Sequence, residues 1–245
     1  MTPDATRGPA HRGTPTDYTL AMRLSDLARD LQAEDPEQTM QGIVVAAVET
    51  IPGAAHAGIS EVERRRIVRT SAATGDLVRA VDQAQYSTAE GPCLAALFEH
   101  RTVHIPDTNA ESRWPTFSEK AADLGVRSIL SFQLYVANDN LGALNLYARE
   151  PRAFDDESED VGLLFAAHAA VAMADARKVQ QLSHAVSVRD QIGQAKGILM
   201  ERHKITGDQA FALLVRASQH ANVKLVDIAR YLTETGELAK PGAAR

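Results

Sequence analysis

Apolar residues first recur at helical spacing near the N-terminus, at Leu20, Leu24, Leu27 and Leu31. Intervals of three and four predict an amphipathic helix over residues 18–34. A second helix is predicted to follow. Asp35 can cap it, Pro36 suits its first position, and Gly53 lies beyond its end. Ile43, Val44, Ala47, Val48 and Ile51 would form its buried stripe.

The period then shortens. AGISEVE (57–63) and RIVRTSAATG (66–75) read as two strands joined by a charged turn near residues 63–65. The run 77–87, LVRAVDQAQYS, fits neither period cleanly. TAEGPCLAALFEH (88–100) reads as a loop leading into a helix, with Gly91 and Pro92 at its start. A short strand, RTVHIPD, ends at Pro106–Asp107, and WPTFSEKAADLG predicts a helix closed by Gly125. VRSILSFQLYV and LGALNLYAR are two strong strands about the polar turn Asn138–Asn140, a hairpin signature.

From about Asp156 to His203 the pattern is one long helix with acidic residues at its start, where a helix dipole favours them. Ile192, Ala195 and Leu199 fall on one face of its last turns. Thr206 and Gln209 have capping-box spacing, so a new helix should start there. Phe211, Leu214, Val215 and Ser218 sit near one helical turn apart, beside Ala217 and Ala221, with Phe211 expected in the core. Asn222 is a candidate left-handed cap. Leu225, Ile228, Ala229 and Leu232 make a third apolar stripe. Three facing stripes predict a small helical bundle.

The order of elements predicts an α+β domain followed by a helical module. The expected divisions are a disordered tail over 1–17, an α+β domain over 18–178, a helical module over 179–238 and a short tail over 239–245. No Pro/Gly/Ser linker separates the two parts; the long helix is expected to run from one into the other. Along it Leu164, Val171, Leu182 and Val186 follow an imperfect coiled-coil seam, so a second copy of the chain is the expected partner, the alternative being a monomer whose helix packs back on its own domain.

Charge sharpens this division. The 245-residue chain carries a net charge of −6. Between Arg177 and Arg230 nine Lys or Arg face four Asp or Glu, an excess of +5 that leaves −11 on the remainder. A basic segment on an acidic body points to an anionic partner for that segment, or to a solvated helix face. One cysteine excludes an internal disulfide and a multi-cysteine metal cluster within one chain, and fits a reducing cytoplasm. No apolar run is long enough to span a membrane, and the first residues lack the apolar core of a secretory signal.

Catalytic signals are sparse. Cys93 follows Pro92 at a helix start, where a thiol can be activated, or packs as a small buried residue. His56, His100, His104 and His168 are scattered without metal-ligand spacing. Trp114 either lines a pocket or staples the start of its helix. No paired carboxylates, nucleophilic triad or phosphate-cradling loop is found, so neither enzyme activity nor a cofactor or metal is expected.

Two stretches resemble known families. EGPCLAALFEHRTVHIPD, SRWPTFSEKAADLGVRSILSFQL and NLGALNLYARE together resemble a GAF domain over about residues 36–178. The resemblance implies an antiparallel sheet flanked by helices and a small-molecule pocket, whose ligand differs among relatives. AKGILM (195–200), AFALL (210–214), the run from Ala217 to Leu225 and DIA (227–229) resemble the ANTAR domain over 182–236. That resemblance implies a regulator that binds paired stem-loops in nascent RNA, each with a six-nucleotide loop, and so prevents a terminator hairpin. RNA polymerase would be engaged indirectly, through the transcript. The GAF–ANTAR order resembles actinobacterial regulators.

Under that reading Arg189, Lys196, Arg202, Lys204, Arg216 and Lys224 supply charge for phosphates. Gln191, Gln194, Ser218 and Asn222 supply hydrogen bonds to base edges. Gly197, beside Lys196, either lets an RNA backbone come close or lets helices pack. A different class is a small-molecule-binding or redox enzyme on the GAF fold whose tail only dimerises; its discriminator is a catalytic constellation. A DNA-binding response regulator would need a phosphoacceptor aspartate in a doubly wound domain, which the element order does not provide.

Overall fold

A computed structural model describes residues 35–63, 67–98, 102–137 and 139–238. The helix expected over 18–34 and both tails lie outside them. The chain divides into two compact units, one ending at Arg177 and one beginning at Lys178.

Helix α1 (Pro36–Thr50) starts at Asp35, whose carboxylate accepts the Gln38 amide at 3.4 Å. Strands β1 (His56–Glu63) and β2 (Ile67–Ala73) follow. Residues 77–87 belong to a helix, α2 (Asp76–Thr88). Its buried face carries Asp82 and Gln85 beside Val78, Val81 and Ala84. These polar residues mask the helical period in the sequence. After α3 (Pro92–Phe98), β3 (Thr102–Ile105) and α4 (Pro115–Asp123) come β4 (Ser128–Val136) and β5 (Asp139–Ala148). The strands reach into the expected polar turn: Asp139 and Asn140 already belong to β5, where Asp139 pairs with Val136, and Ala137 takes φ 52°. Helix α5 (Asp156–His203), α6 (Gly207–Ala221) and α7 (Leu225–Thr235) complete the described chain.

The five strands form one antiparallel sheet in the order β2-β1-β5-β4-β3. Alternation along each strand builds two layers. Leu130, Phe132 and Leu134 of β4 join Leu144 and Leu146 of β5 on one face. They pack with Ile43, Val44 and Ala47 of α1 and with Phe165, Ala169 and Met173 of α5. Gly162 is what lets α5 lie down there: a Cβ at that position would fall 2.3 Å from Phe132 Cζ. On the other face Ile129 and Tyr147 pack with Val78 and Val81 of α2 and Phe117 and Ala121 of α4. Cys93 and Leu97 of α3 cover Ala143. The fold is α+β and GAF-like. At the end of this unit Arg177 pairs with Glu61 of β1 and donates to the Leu141 carbonyl at 3.1 Å.

Beyond Arg177 the helix changes character. Residues 178–187 are all exposed, among them Val179, Leu182 and Val186 at intervals of three and four. No helix among the described residues is long and apolar enough to cross a membrane.

Candidate functional sites: a basic helical module and a buried polar cluster

The C-terminal unit builds its core from small and aliphatic residues. Ala195 and Leu199 of α5, Ala210 and Leu214 of α6, and Ile228, Ala229 and Leu232 of α7 are buried together. Alanines bring the helices close. Caps fix the connections. The Thr206 hydroxyl accepts the Gln209 amide at 3.3 Å, and the Gln209 side chain accepts the Thr206 amide at 3.0 Å. Asn222 closes α6 at φ 52°, a left-handed conformation that asparagine tolerates. Each device satisfies backbone groups that a helix end leaves open.

One expectation fails here. Phe211 is not core: it is 41% exposed, and the Lys196 ammonium lies 5.9 Å from its ring centroid. The buried register of α6 runs through Ala210 and Leu214 instead, which turns Phe211 outward. The ring belongs to an open groove of about 730 Å³ lined by Ala185, Val188, Arg189, Asp190, Ile192, Gly193, Gln194 and Lys196.

The sequence candidates separate into groups. Arg189, Gln194 and Lys196 share that groove. Arg202, Arg216, Asn222 and Lys224 are exposed, and nothing places them in it. Lys204 is exposed and pairs with Glu201. Gln191 and Ser218 are engaged inside the module: Gln191 Nε2 donates to Thr233 Oγ1 at 2.7 Å, and Ser218 Oγ donates to the Val223 carbonyl at 2.6 Å. Both side chains are half-buried, and these bonds tie α5 to α7 and the end of α6 to the loop that follows it. Gly197 is exposed, and a Cβ there would meet nothing within 4 Å, so helix packing does not explain it.

The N-terminal unit holds a buried polar cluster that motif reading missed. Under the sheet face covered by α2 and α3 lies a chain of buried polar groups. Thr70 Oγ1 donates to Asp82 Oδ2 at 2.6 Å, and the Tyr147 hydroxyl donates to Asp82 Oδ1. The Tyr86 hydroxyl bonds Ser60 Oγ at 2.7 Å and Thr70 Oγ1 at 3.1 Å. Asn145 Nδ2 donates to Ser60 Oγ at 3.0 Å. Gln85 Oε1 accepts the Cys93 amide at 2.8 Å. Asn145 Oδ1 and Ser131 Oγ are buried without a hydrogen-bond partner. Such orphans are uncommon in native cores. The signal in the sequence was Ser131 and Asn145, each in the middle of an otherwise apolar strand.

Electrostatics in this cluster follow from burial. Desolvation pushes the Asp82 carboxyl up to about 6, against the hydrogen bonds from Thr70 and Tyr147, the charge of Arg79 and the bond from Gln85. Burial and then the Asp82 charge push the Cys93 thiol up to about 12, so the activated-thiol option fails and the packed one holds. Burial raises the Tyr86 and Tyr147 hydroxyls as well.

The Asp82 shift has a testable consequence. A carboxyl raised from 3.8 to about 6 in the folded state stabilises the fold below pH 4 relative to an unperturbed carboxyl, and loses that contribution as pH rises through 6. The span is on the order of 3 kcal/mol. Urea unfolding of wild type and Asp82→Asn from pH 4 to 8 should give a stability difference that moves by that amount against the wild type as pH rises. A pH-independent difference would mean Asp82 is ionised throughout.

His104 Nδ1 bonds Glu159 Oε1 at 2.8 Å, and no group of three His, Cys, Asp or Glu placed to hold a metal is found among the described residues. Trp114 sits at the start of α4, half-buried, with the Arg113 guanidinium 4.5 Å over its ring.

Comparison with known proteins agrees with this division. The GAF domain family matches residues 33–174, and the ANTAR domain family matches residues 180–232. No curated protein matches the chain. Among solved structures, the GAF domain of a phosphoenolpyruvate-protein phosphotransferase from Coxiella burnetii is similar at 18% identity and TM-score 0.51, covering 66% of this chain and 96% of that one. A free methionine-R-sulfoxide reductase from Neisseria meningitidis is similar at 14% identity and TM-score 0.52, covering 73% and 99%. The photosensory core module of a Stigmatella aurantiaca phytochrome is similar at 13% identity and TM-score 0.57, covering 85% of this chain and 46% of that one. At these identities the likeness is one of fold.

Proposed function

Because this chain belongs to the GAF domain family and matches the ANTAR domain over residues 180–232, we propose that it is a ligand-responsive regulator that binds RNA through its C-terminal module. The targets are paired stem-loops in a nascent transcript. Holding them keeps an overlapping terminator hairpin from forming, and RNA polymerase is engaged through the transcript. The protein acts in the cytoplasm as a homodimer and is not an enzyme. The observation that carries this reading is the basic groove within the matched segment, where Arg189, Gln194 and Lys196 come together. Exposed Arg202, Arg216 and Lys224 extend the charge available to phosphates.

The polar cluster is the proposed seat of a small polar ligand, with Ser131 Oγ and Asn145 Oδ1 as the atoms that would bind it. The redox-enzyme alternative loses its nucleophile, since the chain's one thiol is buried and held protonated at neutral pH.

Lys196→Glu tests the RNA reading. The full-length protein should shift a two-hairpin RNA and not duplex DNA of the same sequence. The variant should bind that RNA more weakly, and the slope of log affinity against log salt should fall by about one. Equal shifts of RNA and duplex DNA would sink the reading; unchanged affinity in the variant would remove Lys196 from the interface.

A further inference from the structure

The C-terminal module leaves both of its aromatic residues outside its core. Phe211 and Tyr231 are each 41% exposed, while the interior is filled by alanine, leucine and isoleucine. An exposed Phe ring forgoes burial that would stabilise the module. Tyr231 has a hydroxyl to hold in water; Phe211 has none, so its ring needs a separate explanation.

The surroundings of Phe211 supply one. The ring lines a groove whose walls are Val188, Ile192 and Ala185, and whose polar groups are Arg189, Gln194, Lys196 and Asp190. Lys196 is held near the ring by a cation–π contact, 5.9 Å from its centroid. A flat apolar surface, two cations and one amide side chain match the chemistry of a nucleotide, and the one carboxylate of the lining, Asp190, still leaves the cations in excess. The base stacks on a ring, the phosphate meets Arg189 or Lys196, and Gln194 can both donate to and accept from a base edge. The volume, about 730 Å³, lies within the range of about 300–1,000 Å³ usual for small-molecule sites.

We propose that the Phe211 ring, flanked by Lys196, Arg189 and Gln194, is the stacking seat for one unpaired base of the bound RNA. This rests on the RNA-binding reading and sharpens it: paired stem contributes phosphates, while a single-stranded nucleotide enters the groove. Stacking on Phe211 is tolerant of base identity, because every base has a π-face. Gln194 then reads the edge and supplies preference.

The probe is a two-hairpin RNA recovered by the full-length protein from a pool with randomised loops, then resynthesised with 2-aminopurine at each loop position in turn. With wild type, fluorescence at one loop position should be quenched on binding, as stacking requires. Phe211→Leu, which keeps an apolar side chain and removes the ring, should abolish that quenching and weaken binding roughly 5- to 150-fold. Phe211→Tyr should retain both. Helicity should stay at the wild-type level, since the ring is outside the core. Equal affinity and equal quenching in Phe211→Leu would overturn the stacking seat while leaving RNA binding intact. Recovery of no RNA by wild type would overturn the RNA reading, and the seat with it. A Phe211→Leu protein that sediments as a monomer, beside a dimeric wild type, would assign the groove to a second copy of the chain and overturn the proposal.

Discussion

Leu214→Ala should unfold the C-terminal module and abolish RNA binding while the N-terminal unit stays folded. Leu214 is fully buried among Ala195, Leu199, Ile228 and Leu232. Removing a buried leucine side chain costs about 2–5 kcal/mol, and the cost is highest where neighbours cannot collapse into the gap. Here the neighbours are capped helices: Thr206 and Gln209 fix one end of α6, and Asn222 fixes the other. A module this small holds only about 3–5 kcal/mol from its core. The loss is therefore comparable to the whole. Hydrogen exchange should show protection vanishing across α6 and α7 and surviving in β4 and β5. Retained protection in α6 would mean that the core of the module is larger than the seven residues that fill it.

The second large effect concerns assembly. Leu182→Glu combined with Val186→Glu should convert a dimer to a monomer and weaken binding to a two-hairpin RNA by about 10²- to 10⁴-fold. Leu182 is 59% exposed and Val186 is 58% exposed, with Val179 beside them, on a stretch where every residue from 178 to 187 faces solvent. The three- and four-residue spacing of these apolar side chains matches a paired seam, which the proposed homodimer would cover. A dimer carries two modules on one body, so the second hairpin binds at a high effective concentration. Binding to a single hairpin should change far less. Sedimentation reads the first half and titration with one- and two-hairpin RNAs the second. A wild-type protein that remains monomeric with and without RNA would remove the paired helix from the mechanism.

Much of this was legible in the chain, for physical reasons that can be named. Asp35–Pro36, Thr206–Gln209 and Asn222 act locally, so a few residues suffice to read them. The apolar runs of β4 and β5, buried almost throughout, were equally plain. Two elements were harder. Helix α2 buries Asp82 and Gln85, and a buried face that carries polar residues has no clean apolar period. The partners of Asp82, Thr70 and Tyr147, lie on β2 and β5, so the cluster exists only once the sheet has formed. Phe211 misled for the opposite reason. A lone aromatic one turn from Leu214 is expected inside, but the helix turns Ala210 inward and leaves the ring out. In the basic module, charge and composition identified the candidates, while only the packing separated Gln191 and Ser218, held within it, from Arg189, Gln194 and Lys196.

The positions of Cys93 and Trp114 make the two units separately observable. Each is the chain's single residue of its kind, and both lie in the unit that ends at Arg177. Tryptophan emission therefore follows that unit alone and is blind to melting of the other. Thiol reagents meet a buried, protonated sulfur and can react only when the unit opens. The rate of labelling then measures the free energy of that opening. Ligand candidates can be screened in the intact chain by how far they slow it, since a molecule bound to the closed form lowers the population of the open one.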